Sequence, residues 1–403
     1  MVTILRKSAY FFVLIITVIF NRVSTTLKCG GNNIWLWRKK TAWGAGIVGA
    51  GGWGGLAHIP ALAALENYEV KAVTGTRAES AQAAAELHGI GSYYTRTLEM
   101  AGQPGIDVVV VAVKVPEHDL LLREALDAGK HVYSEWPLAR TTAEAEALLE
   151  LAEERGVKHV TGLQARANPT VRYTRDLITE GAVGRILAVN TLVTLPVFPT
   201  SNGTVDQAHV YLLDEANGAD QLTIGAAHVL DAIEYMVAPF VEVSGKLDTQ
   251  YLEVHVLETG ASVTANAPDH VLVNGKLAQN ALISAQFVNG GAPGFTLRII
   301  GTGGELVITP QDQLMFQMDR LKLQLVRTSG ETEILETPEM YTSLVRHLPP
   351  GPGYNVAHLY ARLAQRLDGE EVELPDFTQA IRVHRLMDAI RKASASGVRQ
   401  EVR

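Results

Sequence analysis

Cysteine is almost missing from this 403-residue chain, whose single cysteine is Cys29. One cysteine cannot form a disulfide within its own chain, and no residue after position 29 can supply a thiolate for a zinc site or a nucleophile. The histidines and carboxylates also show no spacing typical of metal ligands. The sequence therefore predicts no metal site, and any catalysis must depend on other groups.

Acidic residues are missing from the first 43 positions, which carry seven lysines and arginines. Arg6 and Lys7 precede the apolar run Ala9–Phe20. This run is shorter than the roughly 20 residues that a membrane span needs, and it resembles the core of a signal peptide. Residues 1–43 are therefore interpreted as an N-terminal extension, either a signal or anchor segment or a region with no folded role. We expect a cytoplasmic protein, or an exported or membrane-anchored one if the extension acts as a signal.

An excess of positive charge is also missing, since the formal net charge is −8. A nucleic-acid partner requires a basic face for the phosphates, so none is expected. The length, together with 47% hydrophobic residues, is enough for more than one domain.

Valine-rich apolar strands alternate with helical segments from Gly44 to about residue 165. The strands are AGIVGA, VKAVTG, DVVVVAV, HVYS and KHVTGL. Continuous apolar strands between helices are typical of a parallel sheet that is covered on both faces. Residues 44–165 are therefore predicted to form a Rossmann domain, that is, a doubly wound parallel sheet.

Longer segments of alternating polar and apolar residues follow, such as RILAVNTLVTL and ALISAQFV. Alternation indicates strands with one solvated face, and hence an antiparallel sheet. Residues 166–403 are predicted to form an α/β domain with an open, mostly antiparallel sheet that contributes to substrate binding and oligomerisation. Its last helices are expected to pack back on the Rossmann domain, and its open sheet face predicts a homodimer or homotetramer.

A glycine-rich turn joins the first strand to the first helix with the spacing G-x-G-x-x-G. Such a turn lets the backbone approach a pyrophosphate and directs helix N–H groups toward it. The residues expected to contact the cofactor here are Gly49, Gly51, Gly52, Trp53 and Gly54.

The second strand lacks the acidic residue that would bind the ribose 2′-hydroxyl of NAD. Thr74, Thr76 and Arg77 occupy this region instead, and an arginine suits a 2′-phosphate. The sequence therefore predicts NADP as the cofactor, with NAD as the alternative.

Several segments together resemble the Gfo/Idh/MocA family of glucose–fructose oxidoreductase and inositol dehydrogenase relatives. They are GIVGAGGWG, VVVVAVKVPEH, AGKHVYSEWP, VTGLQARANPTVR, HVLD and IIGTGGELVI. The resemblance spans residues 45–395. It implies a Rossmann domain followed by an α/β domain, an NAD(P) cofactor, and a sugar or polyol substrate.

Two departures from the family pattern concern proton transfer. Trp136 replaces the lysine of the family's Glu-Lys-Pro sequence, and Ile224 replaces the aspartate four residues before His228. An indole N–H only donates, so it cannot act as an acid or base near neutral pH. We expect a stacking or shape role for Trp136 beside the nicotinamide or the sugar. The Glu-Trp-Pro form resembles a branch that includes the fungal galactose-regulon repressor and bacterial oxidoreductase relatives.

The resemblance and the topology suggest roles for the remaining candidates. As catalytic groups we expect His228 as acid–base, Asp231 to orient it, and Lys114 to replace the missing lysine. The alternatives are structural roles for His228 and Asp231, and a contact with cofactor phosphate for Lys114. Further cofactor contacts are expected from Val113, His118, Glu135, Trp136, Pro137 and Gln164, with a structural role as the alternative for His118. Substrate contacts are expected from Arg166 and Tyr173, with an interdomain salt bridge as the alternative for Arg166.

The function predicted is NAD(P)-dependent oxidation or reduction of a sugar, polyol or related hydroxy compound by hydride transfer. The alternative is a non-catalytic NADP-binding regulator that acts through a protein partner. The missing lysine and aspartate favour the regulator, whereas the retained His228 and Asp231 favour the enzyme.

Overall fold

The computed structural model describes residues 23–29, 32–38, 42–195, 198–311, 315–318, 320–345 and 347–402. Within the N-terminal extension, β1 (Val23–Cys29) and β2 (Asn32–Arg38) form an antiparallel hairpin. The apolar run Ala9–Phe20, on which the signal or anchor interpretation depends, lies outside the described residues. Among the described helices, none is both long and apolar enough to cross a membrane.

The first sheet of the described chain has six strands, all parallel, in the order β5-β4-β3-β6-β7-β8. Its strands are β3 (Trp43–Val48), β4 (Tyr68–Thr74), β5 (Ser92–Tyr94), β6 (Val108–Val111), β7 (His131–Ser134) and β8 (His159–Thr161). Its helices are α1 (Ile59–Ala63), α2 (Ala78–His88), α3 (Thr97–Ala101), α4 (His118–Asp127) and α5 (Thr142–Glu154). The strand order reverses between β3 and β6, which opens a crevice at their carboxyl ends. This is the predicted doubly wound sheet.

Strand β6 shows why its sequence is apolar throughout. Val109 and Val111 face the apolar core on one side of the sheet, while Val108 and Val110 face the core on the other side. All four valines are fully buried. A strand that is covered on both faces has no polar alternation, as the sequence indicated.

Capping residues define several helix ends. The Thr141 side chain accepts a hydrogen bond from the Glu144 N–H at the start of α5. Helix α6 (Pro169–Thr179) begins with a proline, and the Asn168 side chain accepts from the N–H of Thr170 at 2.9 Å. These groups satisfy N–H donors that have no partner inside the helix.

The second sheet of the described residues has nine strands in the order β19-β18-β17-β16-β9-β15-β14-β11-β20. Its strands are β9 (Ile186–Thr194), β11 (Phe240–Asp248), β14 (His270–Leu277), β15 (Leu282–Val288), β16 (Gly294–Gly301), β17 (Gly304–Pro310), β18 (Leu321–Arg327), β19 (Thr332–Leu335) and β20 (Gln400–Glu401). Only the β9–β15 pair is parallel among these strand pairs. The predicted open, mostly antiparallel sheet is confirmed.

Helices cover one face of this sheet. The remaining helices are α7 (Ala227–Met236), α8 (Glu339–Thr342), α9 (Tyr354–Leu367) and α10 (Phe377–Ser396), and α7 and α10 share an apolar core with the sheet. The opposite face leaves Leu192, Leu272 and Leu282 exposed. The homo-oligomer predicted through this face stays a prediction.

The two sheet regions meet closely. The boundary predicted near residue 165 lies in a short helical turn, Gln164–Ala167, between β8 and α6. Leu359 and Tyr360 of α9 lie in one apolar cluster with Leu62 of α1. Helix α10 also packs against α5. A smaller sheet consists of β10 (Thr204–Val205), β12 (Glu253–Val256) and β13 (Ser262–Thr264), which lie between β9 and β14 in the sequence.

Candidate functional site

The glycine-rich turn after β3 has room for an anionic group. Gly49 has φ +92°, and a Cβ at this position would lie 2.5 Å from the carbonyl oxygen of Ala112. A Cβ at Gly54 would lie 2.4 Å from the Gly49 carbonyl oxygen, so the close approach of helix and strand requires glycine. Gly51 and Gly52 face open space. The turn therefore fits a dinucleotide pyrophosphate at the start of the following helix.

That helix opens with a π-helical segment, Gly54–His58, which continues directly into α1. The half-buried Trp53 indole packs on the apolar core beside it. The Trp53 Nε1–H is buried and finds no acceptor among the described residues.

The end of β4 carries the residues predicted to choose between NADP and NAD. Thr74 is buried, and its carbonyl oxygen accepts a hydrogen bond from Gly49 N–H at 3.3 Å. Thr76 and Arg77 are exposed, and Arg77 stands at the start of α2. Arg77 has no ion-pair partner in the described part of the chain, so its guanidinium is available to a ligand.

The end of β6 leads to Val113 and Lys114. Val113 is half-buried, and Lys114 is exposed with its ammonium 4.9 Å from the ring centre of Tyr211. His118 is buried, and its Nδ1 and Nε2 lie 2.8 and 3.1 Å from the carbonyl oxygens of Pro137 and Val113. Burial lowers the pKa of His118. Both ring nitrogens thus lie at hydrogen-bond distance from backbone carbonyl oxygens, and the neutral ring can donate to one of them. The predicted cofactor contact of His118 stays a prediction.

The end of β7 carries the Glu-Trp-Pro sequence, in which the Trp136–Pro137 peptide is cis. The Trp136 indole is 5% exposed, and its N–H donates to the Thr223 carbonyl oxygen at 2.5 Å. Its ring packs against His384 of α10 at 4.8 Å between centroids. These contacts join the two sheet regions, and the predicted stacking of the indole on a ligand stays a prediction.

Glu135 belongs to a buried polar chain that the sequence analysis missed. His58 is fully buried, and its Nε2 lies 3.0 Å from Glu135 Oε1, although the angles fall short of a hydrogen bond. His58 Nδ1 lies 2.7 Å from the hydroxyl of Tyr360 on α9. Gly162 makes space for the carboxylate, since a Cβ there would lie 2.5 Å from Glu135 Oε1. The sequence signal that could have identified His58 is its position four residues after Gly54, in the first turn of the helix that follows the glycine-rich turn.

The segment after β8 holds Gln164 and Arg166. Gln164 is 2% exposed, and its Oε1 has no hydrogen-bond partner among the described residues. Arg166 binds both oxygens of Asp231, with Nε to Oδ2 at 2.8 Å and Nη2 to Oδ1 at 2.7 Å. Gln379 of α10 also donates to Asp231 Oδ1 at 2.9 Å. Arg166 thus forms a salt bridge within the second predicted domain, residues 166–403, and not between the two domains. Its predicted contact with a substrate stays a prediction.

Tyr173 of α6 lies away from these groups, against Tyr341 of α8 at 5.5 Å between ring centroids. No described contact joins it to the glycine-rich turn or to His228. Its predicted role in substrate binding stays a prediction.

His228 stands in the first turn of α7, directly after a π-helical segment, Gln221–Ala226. It is 3% exposed, and its Nδ1 has no hydrogen-bond partner in the described chain. Burial lowers the pKa of His228 to about 3, so the ring is neutral at pH 7. Because Asp231 is bound by Arg166 and Gln379, its carboxylate is engaged elsewhere than at this imidazole.

Ile224, which stands where the family carries aspartate, is half-buried in an apolar cluster. The carboxylate nearest in sequence, Asp220, caps the π-helical segment through Thr223 N–H at 2.8 Å and pairs with Arg391 at 2.5 Å. Asp220 is therefore engaged as a structural group. The described residues contain no group of three or more potential metal ligands.

Comparisons with known proteins agree with the two regions of the fold. Residues 43–163 match the profile of the oxidoreductase family with an NAD-binding Rossmann fold, GFO_IDH_MocA, and residues 169–310 match the C-terminal domain of Gal80p. The dehydrogenase aclE of Aspergillus oryzae is 30% identical over 342 residues, which are 82% of this chain and 88% of that protein. The chain belongs to the Gfo/Idh/MocA family of NAD-binding oxidoreductases.

Two further relatives differ in the roles their names give. The galactose/lactose metabolism regulatory protein GAL80 of Saccharomyces cerevisiae is 26% identical over 283 residues, 65% of this chain and 64% of that protein. The structure of levoglucosan dehydrogenase with NADH and levoglucosan has a TM-score of 0.78 and 24% identity, covering 90% of this chain and 99% of that one. This second likeness concerns the fold alone.

Proposed function

We propose that this protein is an NADP(H)-dependent oxidoreductase that interconverts a hydroxyl and a carbonyl group on a sugar, a polyol or a related hydroxy compound. One observation carries the proposal: Trp136, at the carboxyl end of β7, donates to Thr223 in the helical segment that leads to His228. This bond links the carboxyl edge of the nucleotide-binding sheet to the helical segment that precedes His228, a buried imidazole whose Nδ1 has no hydrogen-bond partner among the described residues. Ligands of doubly wound sheets bind at this edge.

A bound nicotinamide would supply the hydride chemistry at the carbon that bears the hydroxyl. The protein's own task is to handle the hydroxyl proton. His228 is neutral at pH 7, which is the form of an imidazole that accepts a proton during oxidation, and the burial that lowers its pKa also makes it a weaker base. In this proposal His228 Nδ1 accepts the proton as the alcohol becomes a carbonyl.

The other cofactor contacts follow from the positions of the side chains. The backbone N–H groups after Gly49 bind the pyrophosphate, and exposed Arg77 pairs with a 2′-phosphate. Glu135 accepts a hydrogen bond from the ribose on the nicotinamide side, as its place at the end of β7 allows. The exposed ammonium of Lys114 lies at the end of β6, where it can contact the hydroxyl or a phosphate.

Cofactor choice is tested by titrating NADP and NAD against the intrinsic fluorescence of the full-length protein. We expect tighter binding of NADP, and we expect Arg77→Ala to weaken NADP about tenfold while changing NAD little, since a charge-assisted hydrogen bond contributes about 1.5 kcal/mol. Equal affinities that do not respond to Arg77→Ala would exclude the NADP assignment.

Activity is tested by following nicotinamide absorbance across a panel of sugars, polyols and simpler cyclic alcohols. His228→Gln should lower kcat by about 100-fold or more and leave the Kd of NADP unchanged, because general acid–base groups contribute on that order. His255→Gln, at an exposed position on β12, is the matched control and should retain activity. Equal rates for His228→Gln and the unmodified protein would show that another group handles the proton.

A second candidate is a regulator that binds NADP and acts through a protein partner. Trp136 and Ile224 favour it, because neither side chain can transfer a proton at the two positions where the family carries lysine and aspartate. GAL80 is named as a regulatory protein. Cofactor binding without turnover across the panel, together with NADP-dependent capture of a transcription factor, would favour this second function.

A further inference from the structure

A small apolar cluster packs just after the end of β6. Val115, Leu212 and Ala219 form its buried floor. Phe198, Tyr211 and Ile224 pack against this floor and stay half-buried, and we call these three side chains the apolar wall. The floor joins the two regions of the protein, because Val115 follows β6 whereas Leu212 and Ala219 belong to the second region.

The apolar wall lies beside the groups of the proposed reaction. Ile224 is four residues before His228 on a continuous helical segment, so the two residues lie on neighbouring positions of adjacent turns. The residue before Ile224, Thr223, is bonded to Trp136 at the end of β7. Lys114 lies 4.9 Å from the Tyr211 ring. These contacts place the wall close to the ends of β6 and β7.

The wall offers little to a polar ligand. Phe198 and Ile224 have no polar side-chain atoms, so the Tyr211 hydroxyl is the one polar group of the wall. A sugar hydroxyl held against these hydrocarbon surfaces would lose its bonds to water without replacement. A ligand with a hydrocarbon surface in the same place would bind more tightly, because burial removes that apolar surface from water.

We propose that the substrate carries a hydrocarbon flank, such as an aryl, alkyl or deoxygenated ring face, next to the hydroxyl that reacts. This inference rests on the proposed oxidoreductase function and narrows its substrate class. Ile224 is the specificity-determining residue. An aspartate at this position, as in the family pattern, would bind a hydroxyl through its carboxylate, whereas isoleucine cannot. A fully hydroxylated sugar is the poorer ligand.

The test compares ligand pairs that share a ring but differ in hydrocarbon surface. The probes are cyclohexane-1,2-diol against myo-inositol, and phenyl β-D-glucoside against D-glucose, with the full-length protein saturated with NADP. Calorimetry gives the Kd of each probe and nicotinamide absorbance gives kcat/KM. We expect the more apolar member of each pair to be favoured about tenfold or more, as differences of this size follow from single groups in apolar pockets.

Two variants test whether the apolar wall causes the preference for the more apolar probe. Ile224→Asp should move the ratio within each pair toward the hydroxylated member by about tenfold. Ile334→Asp makes the same change at an exposed isoleucine on β19 and should leave the ratio unchanged. Thermal unfolding of both variants checks that they fold.

The outcomes separate the two proposals. Preference for the hydroxylated members, an unchanged ratio in Ile224→Asp, or no binding of any probe would overturn the apolar wall as a substrate surface. Binding with the expected preference but without turnover would support the apolar wall as a ligand surface and reject the oxidoreductase function. Turnover with the opposite preference would support the oxidoreductase function and reject the apolar wall as a substrate surface.

Discussion

Acid should destabilise this protein through three buried histidines. Burial lowers the pKa of His228 and of His358 to about 3, and that of His384 to about 4. Unfolded histidine has a pKa of about 6.5. Between these limits the unfolded chain binds one more proton at each site than the folded chain does. Stability is therefore fully present above pH 6.5 and falls as the pH drops toward 4.

The magnitude follows from proton linkage. Each histidine adds about 1.4 kcal/mol per pH unit to the slope of the free energy of unfolding, so the three together add about 4 kcal/mol per unit. Between pH 7 and pH 5 the total loss is about 6 kcal/mol. That loss is comparable to the whole stability of many proteins.

The assay is urea unfolding followed by circular dichroism at pH 7, 6 and 5 and constant ionic strength. His384→Phe keeps a ring against Trp136 but removes the titrating group, so its slope with pH should be smaller by about 1.4 kcal/mol per unit. His255→Phe, at an exposed position on β12, is the control and should keep the slope of the unmodified protein. Identical slopes in all three proteins would refute the reasoning.

Two further predictions concern the end of β7. Trp136→Phe removes the indole N–H and leaves the Thr223 carbonyl oxygen without this donor. The free energy of unfolding, measured by urea titration, should therefore fall by about 1–3 kcal/mol. A loss of NADP affinity at unchanged stability would instead indicate that the indole contacts the ligand. His58→Gln should release Glu135 and weaken NADP several-fold while binding of AMP, which lacks the nicotinamide ribose, is unchanged. Equal weakening of both ligands would mean that His58 acts on the fold as a whole.

The sequence predicted those features that depend on neighbouring residues. The glycine spacing around Gly49 and Gly54 predicted the turn, and the structure shows why both positions exclude a Cβ. Apolar runs such as that of β6 predicted a sheet buried on both faces. Alternation predicted the second sheet. Each of these signals lies within a few residues, where periodicity and turn chemistry decide the outcome.

The side-chain partners of the candidate site could not be predicted in this way. The direction of the Trp136 indole depends on a carbonyl oxygen 87 residues away. The partner of Glu135 is His58, at the end of the π-helical segment that precedes α1. The sequence allowed Arg166 either to contact a substrate or to form a salt bridge. The ion pair could not be predicted because it depends on the position of Asp231 on α7. Such choices are made by tertiary packing, which the sequence pattern does not encode locally.

The contact of α9 with α1 has a consequence for synthesis of the chain. The apolar face of α1 is covered by residues near position 360, about 300 residues further along. At ~5–20 residues per second, a ribosome needs on the order of 15–60 s to add that length. The nucleotide-binding region therefore emerges first and is completed last. Until then its uncovered face is a site where chaperones would bind or nascent chains would aggregate.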